Sequence, residues 1–200
     1  MTQKLRFQRP LGERRYKKLF VVSVEGSKTE PQYFAIFNQP KSIVLVKCLK
    51  RPSTESSPIQ VLKKMQGYLR KESLRKTDEA WIVVDKDNWT EDQLKELLQW
   101  AKKSENHGFA LSNPNFEYWL LLHFEDGKGI ASPQECLTRL KRHLPNYKKD
   151  IDGKNITLEL ITKAIARAKQ RDINRSNDLS PIWSTNVYTL VERIIDLATI

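Results

Sequence analysis

The sequence contains little cysteine or histidine and no long apolar run. Its 200 residues include two cysteines and three histidines. Cys48 and Cys136 are far apart, and neither has a histidine beside it at zinc-ligand spacing, so we expect neither a disulfide framework nor a zinc site. No apolar stretch approaches the roughly 18 residues that a membrane-spanning helix needs. These absences exclude disulfide-bonded scaffolds and membrane-spanning proteins.

Two functional signals are also missing from the sequence. The first residues are polar and basic and lack the apolar segment of a secretory signal, so the expected compartment is the cytoplasm. The chain also lacks the Gly-x-x-x-x-Gly-Lys-Ser/Thr loop that holds nucleotide phosphates. The sequence therefore cannot supply a P-loop ATPase activity of its own.

The charge that is present is mostly positive. Lysine and arginine number 35 against 24 acidic residues, which gives a net charge of +11. Such an excess favours a polyanionic partner, although a soluble lysine-rich protein is the simpler alternative. Residues 1–17 hold six basic side chains and Glu13 alone as an acid. This basic arm either contacts nucleic acid or is a soluble tail.

The order of hydrophobic segments predicts an α/β fold. Strands are expected at 19–24, 43–46, 81–84 and 109–111, with helices at 29–37, 58–71, 90–103 and 114–124. This alternation predicts a parallel sheet of about four strands flanked by helices. Further helices are expected at 133–143, 157–171 and 187–198, with an irregular charged connection at 144–156. Helix N-cap patterns begin at Thr29, Thr90 and Ser132. We therefore divide the chain into a basic arm (1–17), an α/β core (18–125) and a helical C-terminal part packed on the core (126–200).

Acidic residues follow two of the predicted strands. Glu25 ends the first strand, and Asp85 and Asp87 end the third. The carboxyl ends of parallel strands meet at one edge of a sheet, so these acids converge if their strands are neighbours. Close carboxylates repel one another, and Mg²⁺ relieves this while keeping positions for phosphate oxygens. Gly26 is expected to let the backbone turn sharply near a phosphate. The alternative is that the acids only cap the following helices.

At these residues the chain resembles a known family. Residues 24–30 read Val-Glu-Gly-Ser-Lys-Thr-Glu and resemble the Val-Glu-Gly-x-x-Thr-Glu opening of Toprim domains in overcoming-lysogenization-defect (OLD) nucleases. Residues 85–87 resemble the Toprim Asp-x-Asp. Supporting motifs are Asn-Pro-Asn-Phe-Glu-Tyr-Trp-Leu at 113–120, Leu-Leu-His-Phe at 121–124 and Thr-Asn-Val-Tyr at 185–188. From about residue 14 to 193, the chain resembles the RloB-like family of bacterial phage-defence and restriction loci.

The resemblance implies a Toprim-like fold and a metal-dependent nuclease that uses Mg²⁺ or Mn²⁺. By this resemblance Glu25, Asp85 and Asp87 ligate the metal, and Glu30 serves a second metal. An acid in the first turn of a helix also favours the helix dipole without any ligand, which is the alternative for Glu30. The resemblance further implies a separate partner ATPase.

Several other residues are candidates for the site or for nucleic-acid contact. Glu117 lies in an apolar segment near the same sheet edge, so it should be partly buried and should need a partner. His123 is expected to be a satisfied core histidine rather than a catalytic base. The predicted nucleic-acid contacts are Arg14, Arg15, Lys28, Lys163, Arg167 and Arg171. A solvated basic helix face is the alternative for the last three. A second basic cluster, Arg139, Lys141, Arg142, Lys148 and Lys149, could supply a lysine that stabilises transition-state charge.

Two other functions compete with the nuclease. Haloacid-dehalogenase-type phosphatases also use Asp-x-Asp after a strand, but here Thr90 comes one place late and Glu25 is left unexplained. A non-catalytic nucleic-acid-binding module would explain the positive charge and would make the three strand-end acids dispensable.

Overall fold

The computed structural model describes residues 17–49, 58–86, 89–173 and 182–198. Arg14, Arg15 and Asp87, which were predicted to contact nucleic acid or metal, lie outside the described residues. Their roles remain predictions.

The described residues form a sheet of five strands in the order β2-β1-β3-β4-β5. The strands are β1 (Lys18–Val24), β2 (Val44–Cys48), β3 (Glu79–Asp85), β4 (His107–Asn113) and β5 (Ser184–Thr185). The first four pair in parallel, while β5 pairs antiparallel with the end of β4. The predicted α/β class is confirmed and is compatible with a Toprim-like architecture. We did not predict β5, because two residues are too few to show a periodic pattern.

Seven α-helices and a short 3₁₀ helix (Gly153–Asn155) connect and cover these strands in the described part of the chain. The helices are α1 (Thr29–Ala35), α2 (Pro58–Lys71), α3 (Glu91–Ala101), α4 (Phe116–Leu121), α5 (Pro133–His143), α6 (Leu158–Ile173) and α7 (Val187–Ala198). None of these helices is both long enough and apolar enough to cross a membrane.

The helix caps agree with the sequence in some places and not in others. Thr90 and Gln93 form the predicted capping box of α3, and Ser132 caps α5. Thr29 was predicted to cap α1, but it lies inside that helix and its hydroxyl donates to the Lys149 carbonyl oxygen at 3.0 Å. The Thr29 hydroxyl therefore bonds a carbonyl that is distant in sequence instead of capping α1.

The sheet separates two hydrophobic layers. Alternate residues of β1 point to opposite faces: Phe20 and Val22 pack with α1, α4 and the C-terminal helices, whereas Val21 packs with α2 and α3. Val187 and Leu190 of α7 belong to the same cluster as Phe20. The C-terminal helices therefore pack on the sheet rather than forming a separate core. Burying each such apolar side chain contributes about 1.5–3 kcal/mol to folding.

Candidate active-site cleft

The ends of β1 and β3 lie side by side at the carboxyl edge of the sheet. The two strands pair in parallel with Val24 opposite Val83, which brings Glu25 beside Asp85. The backbone N–H of Asp85 donates to Glu25 Oε2 at 3.5 Å. The two strands are therefore neighbours, as the predicted convergence of their acids requires.

A cavity of about 300 Å³ opens at this edge. Four carboxylates line it, and two lysines lie at its wall. The lining residues are Glu25, Gly26, Ser27, Lys28, Thr29, Glu30, Asp85, Phe116, Glu117 and Lys149. All of the predicted acidic site residues that the structure describes therefore line one cleft, which follows from the rule that sites form outside the carboxyl ends of parallel strands.

Glu30 is the most buried of the four acids, at 6% exposure. Its Oε1 accepts a hydrogen bond from the Gly26 N–H at 2.9 Å. Burial raises the pKa of Glu30 above its ordinary value of 4.5, and the nearby Glu117 acts in the same direction, while the backbone hydrogen bonds oppose the shift. Burial therefore disfavours the charged form of Glu30, a cost that a bound cation would offset.

Gly26 is required for a reason other than the predicted sharp turn. A Cβ atom at this position would lie 2.1 Å from Glu30 Oε2, closer than atoms approach without displacement. The absence of a side chain therefore leaves space for the Glu30 carboxylate beside the end of β1.

Glu117 lies in the first turn of α4 and is half-buried, as the sequence predicted. Its partner is Tyr147, whose hydroxyl donates to Glu117 Oε1 at 3.0 Å. The Tyr147 hydroxyl also lies 3.3 Å from the Thr29 hydroxyl. Burial raises the pKa of the Tyr147 phenol, and the charge of Glu117 adds to this, so the phenol keeps its proton at neutral pH.

Two lysines bring positive charge to the acidic cleft. Lys28 is exposed, and its Nζ lies 3.9 Å from Asp150 Oδ2. Lys149 has a left-handed backbone with φ of 66°, and its carbonyl accepts the Thr29 hydrogen bond. In the basic cluster that the sequence singled out, Lys148 and Lys149 are both exposed, but Lys149 lines the cleft and Lys148 does not.

The predicted basic stripe of α6 makes contacts within the protein. Lys163 pairs with Glu159, and Arg167 Nη1 donates to the Leu122 carbonyl oxygen at 2.6 Å. Arg171 donates to the Asp126 carbonyl oxygen, with Nη2 at 2.8 Å. Arg167 and Arg171 thus connect α6 to the segment that follows α4. Their contact with nucleic acid remains a prediction.

Two residues near the cleft have structural partners. His123 is fully buried between Tyr33 and the Trp119 carbonyl oxygen, and burial lowers its pKa to about 4. A carbonyl can only accept, so Nδ1 carries the proton and Nε2 accepts from the Tyr33 hydroxyl. His123 is therefore a neutral core histidine, as predicted. Asn113 is the last residue of β4, where it pairs with Ser184 of β5.

The donor set suits a hard divalent cation, but the described residues do not form a closed metal cage. In the part of the chain that the structure describes, no group of three or more His, Cys, Asp or Glu side chains comes together in a metal-holding arrangement. Mg²⁺ commonly takes one or two carboxylates and fills its other positions with water and phosphate oxygens. Adjacent Glu25 and Asp85 in an open cleft fit this requirement, and Asp87 lies outside the described residues.

The fold and cleft define an α/β protein with an acidic site at the carboxyl edge of a mostly parallel sheet. A family model described as RloB-like protein matches residues 20–194. The chain therefore belongs to the RloB-like family, which confirms the RloB-like resemblance of the sequence. No curated protein and no solved structure matches the chain.

Sequence reasoning missed the contributions of Tyr147 and Thr29 to the cleft. Tyr147 lies in the connection that the sequence showed as irregular and charged, and it contacts Glu117 across 30 positions. The available signal was composition, because Tyr147 is the lone aromatic residue in residues 144–156. A buried aromatic in an otherwise charged loop indicates a docking point, but not its partner.

Proposed function

We propose that this protein is a metal-dependent nuclease that hydrolyses phosphodiester bonds of DNA or RNA. One observation carries the proposal: Glu25 and Asp85, at the ends of neighbouring parallel strands, line a single cleft with Glu30 and Glu117. A cleft of four carboxylates in a protein of net charge +11 places acidic groups within a positively charged molecule. Positive charge favours binding of the nucleic-acid backbone, and the acids provide the ligands of a divalent cation.

Glu25 and Asp85 would hold Mg²⁺ or Mn²⁺, together with Asp87, and Glu30 would serve a second ion. When bound, such an ion polarises the scissile phosphate and offsets the charge that develops on its oxygens. The protein supplies the position of the carboxylates and the basic groups around them. We assign Lys149 the stabilisation of charge on the phosphate, because it lines the cleft among the acids.

The proposed setting is a cytoplasmic phage-defence or restriction-linked system with a separate ATPase. Membership of the RloB-like family supports this setting. The missing phosphate-binding loop supports a second chain as the source of any P-loop ATPase activity.

A cleavage assay tests the proposal. DNA oligonucleotides, RNA oligonucleotides and bulk tRNA are incubated with the protein in Mg²⁺ or Mn²⁺, and in EDTA. Cleavage that requires the ion, disappears in Glu25→Gln and falls in Lys149→Ala but not in Lys148→Ala would support it. Lys148 is the matched control because it is the adjacent, exposed lysine outside the cleft. Cleavage that persists in EDTA or in Glu25→Gln would contradict it.

A non-catalytic nucleic-acid-binding module is the second candidate. The observation that favours it is the net charge of +11, which suits binding of a nucleic-acid backbone without any chemistry. It predicts that Glu25→Gln and Asp85→Asn retain full oligonucleotide binding and that the wild-type protein binds no divalent ion. Filter binding together with metal titration separates the two candidates.

A further inference from the structure

We infer that Tyr147 is a positioning residue that holds the Glu117 carboxylate in the cleft. The inference rests on the proposed function and adds to it a contribution from the C-terminal helical part. Glu117 belongs to α4, whereas Tyr147 lies in the connection between α5 and the 3₁₀ helix. The bond between them joins two parts of the chain that are 30 positions apart.

The direction of the hydrogen bonds assigns the Tyr147 proton to Glu117. Thr29 donates its hydroxyl proton to the Lys149 carbonyl oxygen at 3.0 Å. That proton is therefore engaged, although the Thr29 and Tyr147 hydroxyls lie 3.3 Å apart. The Tyr147 hydroxyl is then the donor to Glu117 Oε1 at 3.0 Å. Such a bond fixes the orientation of a half-buried carboxylate that lines the cleft.

The residues around Tyr147 hold its phenol ring in place. Tyr147 is 2% exposed and packs in the same hydrophobic cluster as Leu144 and Ile151. On the α1 side, Gln32 joins the connection by two bonds: its Nε2 donates to Asp150 Oδ1 at 3.0 Å, and its Oε1 accepts from the Ile151 N–H at 2.7 Å. These contacts hold the Tyr147 hydroxyl in a fixed position next to Glu117, as a supporting group requires.

The placement of Glu117 affects cation binding because Glu117 faces the other acids. It acts electrostatically on Glu30, which lines the same cavity. Removing the hydroxyl that orients Glu117 frees its carboxylate to rotate away from this position. Loss of a supporting hydrogen bond to a group at a metal site typically lowers metal affinity roughly 10- to 100-fold.

The test is Mn²⁺ titration by calorimetry on four full-length proteins: wild type, Tyr147→Phe, Glu117→Gln and the double variant. Phenylalanine keeps the ring and removes only the hydroxyl. We expect Tyr147→Phe to weaken Mn²⁺ binding by roughly 10-fold. In the Glu117→Gln background the same change should have no further effect, because the hydroxyl acts through Glu117.

Tyr33→Phe is the matched control, because Tyr33 is also a buried tyrosine, and its hydroxyl bonds His123 rather than a carboxylate. It should lower thermal stability while leaving Mn²⁺ affinity unchanged. Wild-type affinity in Tyr147→Phe, or equal weakening in both backgrounds, would overturn the inference and leave the proposed nuclease intact. A wild-type protein that binds no Mn²⁺, with or without oligonucleotide, would overturn both.

Discussion

Strand β3 begins and ends with acidic residues, and the two ends hold their charge in different ways. At the amino end, Glu79 is 4% exposed and bonds Lys18 at 2.6 Å, Arg193 at 2.8 Å and the Trp81 indole at 2.9 Å. At the carboxyl end, Asp85 lies beside Glu25 in a cleft with other acids. At the amino end of β3 a single acid is therefore paired with two basic side chains, whereas at the carboxyl end four acids line one cleft.

The pKa shifts at the two edges have opposite directions. Burial acts to raise the pKa of Glu79, but hydrogen bonds from Arg193, Lys18 and Trp81 outweigh it, and the pKa falls below 4.5. For Glu30, burial prevails and the pKa rises. A buried acid surrounded by donors stabilises the fold, whereas a raised pKa near other acids is a feature that functional sites often share. The comparison is therefore consistent with a structural role for Glu79 and with the proposed role of the carboxylates in the cleft.

The largest expected effect is on cleavage, at the carboxyl edge. Asp85→Asn should reduce metal-dependent cleavage by more than the roughly 100-fold seen when only a supporting partner is lost. The same change should lower the free energy of unfolding by less than Glu79→Gln does, because it also removes repulsion among the acids that line the cleft. Urea denaturation and a cleavage assay on one preparation check both parts. A stability loss as large as that of Glu79→Gln would contradict the comparison.

Glu79→Gln, at the amino end of β3, should lower stability and leave ion binding unchanged. We expect a loss of about 2–3 kcal/mol in the free energy of unfolding, because Lys18 and the half-exposed Arg193 lose their charged partner. Denaturant unfolding measures the loss. Divalent-ion affinity should remain at the wild-type value, and a Glu79→Gln protein that no longer bound the ion would contradict the separation of the two edges.

Gly26→Ala should disturb the site more than the fold. The added Cβ would displace the Glu30 carboxylate, so we expect divalent-ion affinity to fall by roughly 10-fold. Gly67→Ala is the control, since Gly67 lies within α2 and its nearest neighbour to a new Cβ is the tip of Arg70 at 3.9 Å. That change should stabilise the protein by about 0.5–1 kcal/mol and leave ion binding unaltered. Equal ion affinity in both variants would remove the assigned role of Gly26.

The smallest expected effect is a change in the pH dependence of stability. Because its folded-state pKa is lowered, Glu79 contributes stability that is fully present above 4.5 and is lost as pH falls below it. The wild type should therefore lose stability faster than Glu79→Gln below pH 4.5, by at most about 1.4 kcal/mol per pH unit. Denaturation curves between pH 3 and 7 measure this difference. Parallel curves would show that Glu79 has the same pKa in both states.

The sequence predicted the features that depend on local pattern and on general rules of sheets. Alternating hydrophobic segments indicated four strands, and the rule for parallel strand ends placed Glu25 near Asp85. Thr90 and Ser132 could be recognised as caps because the acceptor and donor lie three residues apart.

The features that the sequence could not show depend on distant contacts. The Thr29 hydroxyl bonds Lys149, 120 positions away, so its local capping pattern was misleading. Glu117 was predicted to need a partner, but no local signal identified Tyr147. No local signal showed that Lys149 rather than Lys148 lines the cleft, and Lys149 has a left-handed backbone, which lysine rarely adopts. These contacts are determined by tertiary packing between segments that are distant in sequence.

The most direct test of the central claim is calorimetric titration of Mg²⁺ and Mn²⁺ into wild type, Asp85→Asn and Glu79→Gln. If the carboxyl end of β3 forms part of a metal site, wild type and Glu79→Gln will bind the ion and Asp85→Asn will not. Binding that survives in Asp85→Asn, or is absent from wild type even with oligonucleotide present, would contradict the account.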